Sequence, residues 1–195
     1  AGAVRLAAAL PEPLMRQDPT STAVRAGRID HALRVGREAG LPVHRAHIKA
    51  RGADVQGQAP QIIARIEAAR RTGQNVTADQ YPWSASGTSL VASLIPRWAQ
   101  NGGIEALRKR LADPAVMTRL RPEMEENLRR RGGPAKLLIT DWPEDISGKT
   151  LADIAAARQL DPVAAAVSVI RHDNPAVVSF NQSEADIAMF MRQPW

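Results

Sequence analysis

The chain has no cysteine. That excludes a disulfide, a thiolate metal site and a cysteine nucleophile, and it fits a reducing, cytoplasmic setting. Tyrosine occurs once and phenylalanine twice. No apolar run reaches the 18 residues that a membrane-spanning helix needs, so no membrane role is expected. The alanine-rich start, Ala1 to Leu10, is too short to read as a signal peptide. Histidine is also scarce, with four in 195 residues. Two of those four, His44 and His47, fall in the stretch "PVHRAHIKARG", beside Lys49.

Basic residues exceed acidic ones, 26 to 20, for a net charge of +6. Such a balance invites a nucleic-acid reading. However, the arginines are scattered along expected helices with acids between them. Only "LRRRGG", residues 128–133, forms a run. Solvated helix surface accounts for this pattern, and no nucleic-acid partner is expected.

Residues 1–27 carry prolines and little periodicity and read as loop. From Arg28 a helix pattern begins, with Ile29, Ala32, Leu33 and Gly36 on one face and Gly40 placed to end it. "LPVHRAHIKA" then reads as a strand. A second helix carries Ile62, Ile63, Ile66 and Ala69 on its apolar face, and Gly73 ends it. "NVTADQYPW" reads as a second strand. Gly40 and Gly73 lie 33 positions apart, as do Val43 and Val76. Helix, glycine, turn and strand, repeated, predict an α/β fold with parallel strands, either a barrel or a doubly wound sheet. In such folds the site lies at the carboxyl ends of the strands.

Alternation along an extended strand puts Arg45, His47 and Lys49 on one face and His44 on the other. Asp79 and Tyr81 share a face at similar depth on the next strand. A neutral imidazole can ligate zinc. A lysine can pair with a carboxylate, and a tyrosine can add a hydrogen bond. The same residues also allow a plainer reading: a polar strand histidine, a solvated lysine, Asp79 capping a turn, and "YPW" as core plus a proline turn. His31 and His172 look structural.

"GREAGLPVHRAHIKARG" followed by "VTADQYPWSASGTSLVASLIPRWAQNGG" resembles the D-aminoacylase family, the N-acyl-D-amino-acid deacylases of the amidohydrolase superfamily. "KLLITDWPE", "GKTLADIAAARQLDPVAAAV" and "VVSFNQSEADIAMFMRQPW" resemble the same family in the same order, so the likeness covers residues 28–195. It implies part of a (β/α)₈ barrel: two helix–strand units over 28–83, a helical insertion over 84–145, and late barrel elements over 146–195. It also implies zinc-dependent hydrolysis of the amide of a small N-acyl-D-amino acid. The histidine of the family's "SH-x-K" strand falls on His47, as a metal ligand. The lysine of that motif, a substrate-carboxylate contact, falls on Lys49. The first tyrosine of "D-x-YPY" falls on Tyr81, and Trp83 replaces the second. Arg97 is a further candidate carboxylate contact. Ser84 to Ser89 would line the mouth, and Asn181 would face it.

The departures from the family pattern bear on activity. The family's first-strand HxH pair and its bridging cysteine have no counterpart. The region expected to hold another histidine reads "PLMRQDPTST". The family's catalytic aspartate would lie beyond Trp195. The resemblance therefore implies a middle-to-late portion of a deacylase, incomplete and inactive alone. The alternative is a non-catalytic α/β binding or interaction module derived from that family.

Overall fold

The computed structural model describes residues 22–141 and 145–195. The chain divides into two compact units. One comprises the chain up to Trp83 together with Gln182–Trp195, and the other is Ser84–Asn181.

In the first unit, helix α1 (Thr22–Ala39) leads to strand β1 (Val43–Arg45). A short 3₁₀ turn (Ala53–Val55) precedes helix α2 (Ala59–Arg71) and strand β2 (Val76–Ala78). Helix α1 thus begins six residues before the expected Arg28, because the alanines and arginines upstream of the apolar stripe are good helix formers. The rest of the loop expected over residues 1–27 lies outside the described residues. β1 and β2 pair in parallel, Val43 opposite Val76 and Arg45 opposite Ala78, which is the register set by the 33-residue repeat. Gly40 and Gly73 end the two helices with positive φ, 65° and 87°, a conformation that glycine adopts without a Cβ clash. Ile29, Leu33, Ile62, Ile66 and Val76 form a buried core with Phe190 of α9 (Glu184–Met191).

Gly36 answers to a different constraint. It lies buried in α1 where the helix meets β1. A Cβ there would sit 2.2 Å from Val43 Cγ2 and 3.1 Å from the Leu41 carbonyl oxygen. Val43 is β-branched and cannot easily turn aside. Gly36→Ala gains about 1 kcal/mol of helix propensity and loses about 1–3 kcal/mol to overpacking. A net loss of about 1 kcal/mol is expected in urea unfolding; a stabilised variant would show that the helix and strand do not meet this closely.

The second unit holds strands β3 (Ser86–Ser89), β4 (Leu137–Ile139) and β5 (Ala176–Ser179). Its helices are α3 (Leu90–Leu94), α4 (Arg97–Gln100), α5 (Gly103–Ala112), α6 (Pro114–Arg130), α7 (Leu151–Arg158) and α8 (Pro162–Ile170). Where the resemblance implies a helical insertion over 84–145, the described residues carry helices α3 to α6 and also strands β3 and β4. The sheet order is β3–β5–β4, and both pairings are antiparallel. This departs from the all-parallel order of barrel strands. A single helix separates β1 from β2 and returns the chain in the same direction. Two helices, α7 and α8, separate β4 from β5, so the chain comes back reversed.

Asp113 and Asp161 cap α6 and α8, with Pro114 and Pro162 at the first helical positions. Thr150 and Asp153 form a capping box on α7. The arginine excess is largely paired on α6: Arg121 with Glu125 and Asp161, and Arg129 and Arg130 with Glu126. Arg131 Nε donates to the Ser93 carbonyl, tying the end of the basic run to α3.

The described architecture is mixed α/β with small sheets, and it does not amount to a complete barrel. Among the described residues no helix is long and apolar enough to cross a membrane.

Candidate functional site

β1 stops at Arg45 because the chain turns at His47, whose φ is 51°. That left-handed conformation is uncommon outside glycine, although histidine tolerates it better than most residues. The turn is held from the neighbouring strand. Asp79 Oδ1 accepts the His47 backbone N–H at 2.5 Å. Its Oδ2 lies 3.0 Å from His44 Nε2, and His44 Nδ1 lies 2.9 Å from Thr77 Oγ1. Beyond the turn the two chains stay in step, with the Ile48 N–H donating to the Asp79 carbonyl.

The backbone N–H of His47, followed by the imidazole of His44, holds the Asp79 carboxyl below its ordinary range. A depressed carboxyl pKa in the folded state adds stability above the unfolded-state value, and that stability is lost as pH falls through the folded value. In an NMR acid titration, the Asp79 carboxyl and the His47 amide are expected to titrate together, below pH 3.8. In Asp79→Asn the His47 amide should no longer follow pH in that range. Independent titration of the two signals would contradict the contact.

Past the turn, three side chains converge. The His47 ring stands edge-on to the Tyr81 ring, with centroids 5.6 Å apart. Lys49 Nζ donates to Tyr81 Oη at 2.5 Å and sits 4.3 Å from the Tyr81 ring centroid. Gln182 Nε2 donates to the same hydroxyl at 3.1 Å. His47 is exposed, while Lys49 and Tyr81 are half-buried.

The convergence expected of His47, Lys49 and Tyr81 is present, but strand alternation is not its cause. A left-handed turn replaces the extended segment that alternation assumes. His44 and His47 meet the same carboxylate, one through its ring and the other through its backbone amide, while the His47 ring lies against Tyr81.

The other candidates lie in the second unit. Arg97 opens α4 and is exposed. Its neighbour Trp98 donates its indole N–H to Glu123 and lies beneath the Arg119 guanidinium. Asn181 is buried and bonded to Ser179 and Ser86. Ser89 caps α3.

The donors do not fit a catalytic zinc, which normally takes three protein ligands. Both Asp79 oxygens and both His44 ring nitrogens are committed, and His47 remains as the one candidate ligand of this cluster. Among the described residues no group of three or more His, Cys, Asp or Glu is arranged to hold a metal. The arrangement provides an ammonium and a phenol side by side, at the carboxyl ends of two parallel strands. An ammonium and a hydroxyl donor suit a carboxylate.

Solved structures share this fold. An N-acyl-D-glutamate deacylase from Bordetella bronchiseptica superposes with a TM-score of 0.60 at 22% identity, over 90% of this chain and 29% of that one. It was solved with zinc and a phosphonate that mimics the tetrahedral intermediate of its reaction. The chain shares its fold with part of the D-aminoacylases. Two D-aminoacylase structures match with a TM-score of 0.51, at 24% and 25% identity, over 84% of this chain and 26% of theirs. One of them concerns that enzyme's binuclear metal centre. The chain therefore spans less than a third of the length of the D-aminoacylases and the deacylase that it matches. No family model and no curated protein sequence matches it.

Gln182 escaped the sequence reading. It lies 101 positions from Tyr81, and no local pattern links the two.

Proposed function

We propose that the chain contributes the acid-binding side of a zinc-dependent N-acyl-D-amino-acid deacylase, with β1 and β2 as neighbouring strands of its (β/α)₈ barrel. The reading rests on one observation: Lys49 and Tyr81 meet at 2.5 Å at the carboxyl ends of paired parallel strands. Lys49 supplies the positive charge for the α-carboxylate of the substrate, and Tyr81 supplies a hydrogen bond. His47, exposed beside Tyr81, is the residue that would join a metal site completed by other ligands. By themselves these residues hold an acid, and the hydrolytic step requires donors that they do not supply.

Binding separates this reading from a bare structural role. N-acetyl-D-leucine, titrated into the chain by NMR, should shift resonances around Lys49 and Tyr81. Its carboxamide should bind more weakly. Lys49→Met should weaken the acid about tenfold or more, as loss of a hydrogen bond to a charged group implies. Equal binding of acid and carboxamide, with Lys49→Met unchanged, would overturn it.

A further inference from the structure

Tyr81 has one hydroxyl proton and two lone pairs. Two N–H donors point at its oxygen, from Lys49 Nζ and from Gln182 Nε2. We propose that Gln182 is a positioning residue for the acid-binding site: with Lys49 it occupies both lone pairs of the Tyr81 hydroxyl and so turns the remaining proton outward, toward the ligand. This rests on the reading of Lys49 and Tyr81 as the carboxylate site.

A phenol with an open lone pair can rotate and spend its proton on any neighbouring acceptor. With both lone pairs filled, the hydroxyl can only donate. A carboxylate is an acceptor on every lone pair, so the site is set for it before it arrives. Lys49 spends one of its three N–H bonds on Tyr81, which leaves two for the same ligand. An amide is suited to this task because it donates without adding a charge that would compete with Lys49.

Gln182 is well placed to hold its position. It is 8% exposed. It directly precedes Ser183, the N-cap of α9, whose hydroxyl accepts the Asp186 N–H. Asp186 in turn anchors α9 by accepting the backbone N–H groups of Gly57 and Ala59. Gln182 therefore reaches Tyr81 from a helix start fastened at two points.

The test is a double-mutant cycle read as the dissociation constant for N-acetyl-D-leucine, with thermal unfolding as the folding control. Gln182→Met keeps the volume and removes the donor. It should weaken binding about three- to tenfold, the size of one neutral hydrogen bond. In a Tyr81→Phe background the same change should have almost no effect, because the group it positions is gone. Gln182→Glu puts an acceptor where the amide donor stood, draws the Tyr81 proton inward and should weaken binding at least as much. Should Gln182→Met unfold, Gln182→Leu, which also removes the donor without adding charge, carries the cycle.

The outcomes are distinct. If Lys49→Met and Tyr81→Phe leave affinity unchanged, the carboxylate site itself is wrong. If both weaken binding but the Gln182 variants do not, the positioning role is wrong. An equal Gln182 effect with and without the Tyr81 hydroxyl would likewise overturn it, by showing a purely structural role.

Discussion

Asp186→Ala is expected to cost the first unit about 2–4 kcal/mol, read as a lower urea midpoint. Asp186 is 3% exposed, and its two oxygens take the N–H groups of Gly57 at 2.7 Å and Ala59 at 3.1 Å. Helix α2 has no local cap, since Gln58 makes no side-chain hydrogen bond to it. Its first amide is capped instead by a carboxylate 127 positions away, where a negative charge also complements the helix dipole. Removing the carboxylate strands both donors and releases α9 from α2. Asp186→Asn keeps one acceptor oxygen and should lose about half as much. A loss under about 0.5 kcal/mol for the alanine variant, the size of an ordinary surface change, would show that the two helices are held by apolar contact alone.

The second large effect concerns turnover. The 195-residue chain with added zinc is expected to release no free amino acid from N-acetyl-D-amino acids above background. Enzymes of this kind of chemistry gain at least about a millionfold over the uncatalysed reaction. Much of that gain depends on a metal held firmly enough to lower the pKa of its water. A cluster that offers one imidazole, with its neighbouring carboxylate already engaged twice, cannot hold zinc in that way. Turnover abolished both by a chelator and by His47→Ala would contradict this.

What the sequence revealed, and what it hid, divides along the range of the interactions. The helix–glycine–strand repeat and the Val43–Val76 register were legible because each signal is local: an apolar stripe, a glycine at the helix end, a β-branched run. The caps at Asp113 and Asp161, each followed by proline, are local signals of the same kind. The turn at His47 was hidden. It depends on Asp79, 32 positions away, and nothing within β1 announces it. Asp186 gives its N–H to the local Ser183 cap, but its carboxylate reaches α2, a long-range contact that no local pattern announces. The antiparallel sheet of the second unit was hidden as well, since apolar patterning names strands without naming their partners. For the site, spacing left plainer readings open, and the resemblance to the D-aminoacylases singled out His47, Lys49 and Tyr81. Strand alternation grouped His47, Lys49 and Tyr81 for a reason that the structure replaces.

The most direct measurement is a crystal structure of the chain with N-acetyl-D-leucine. The α-carboxylate is expected within hydrogen-bond distance of both Lys49 Nζ and Tyr81 Oη, with the Gln182 amide still on the tyrosine hydroxyl. A ligand bound with its carboxylate elsewhere, while the Lys49–Tyr81 contact stays intact and empty, would contradict the account.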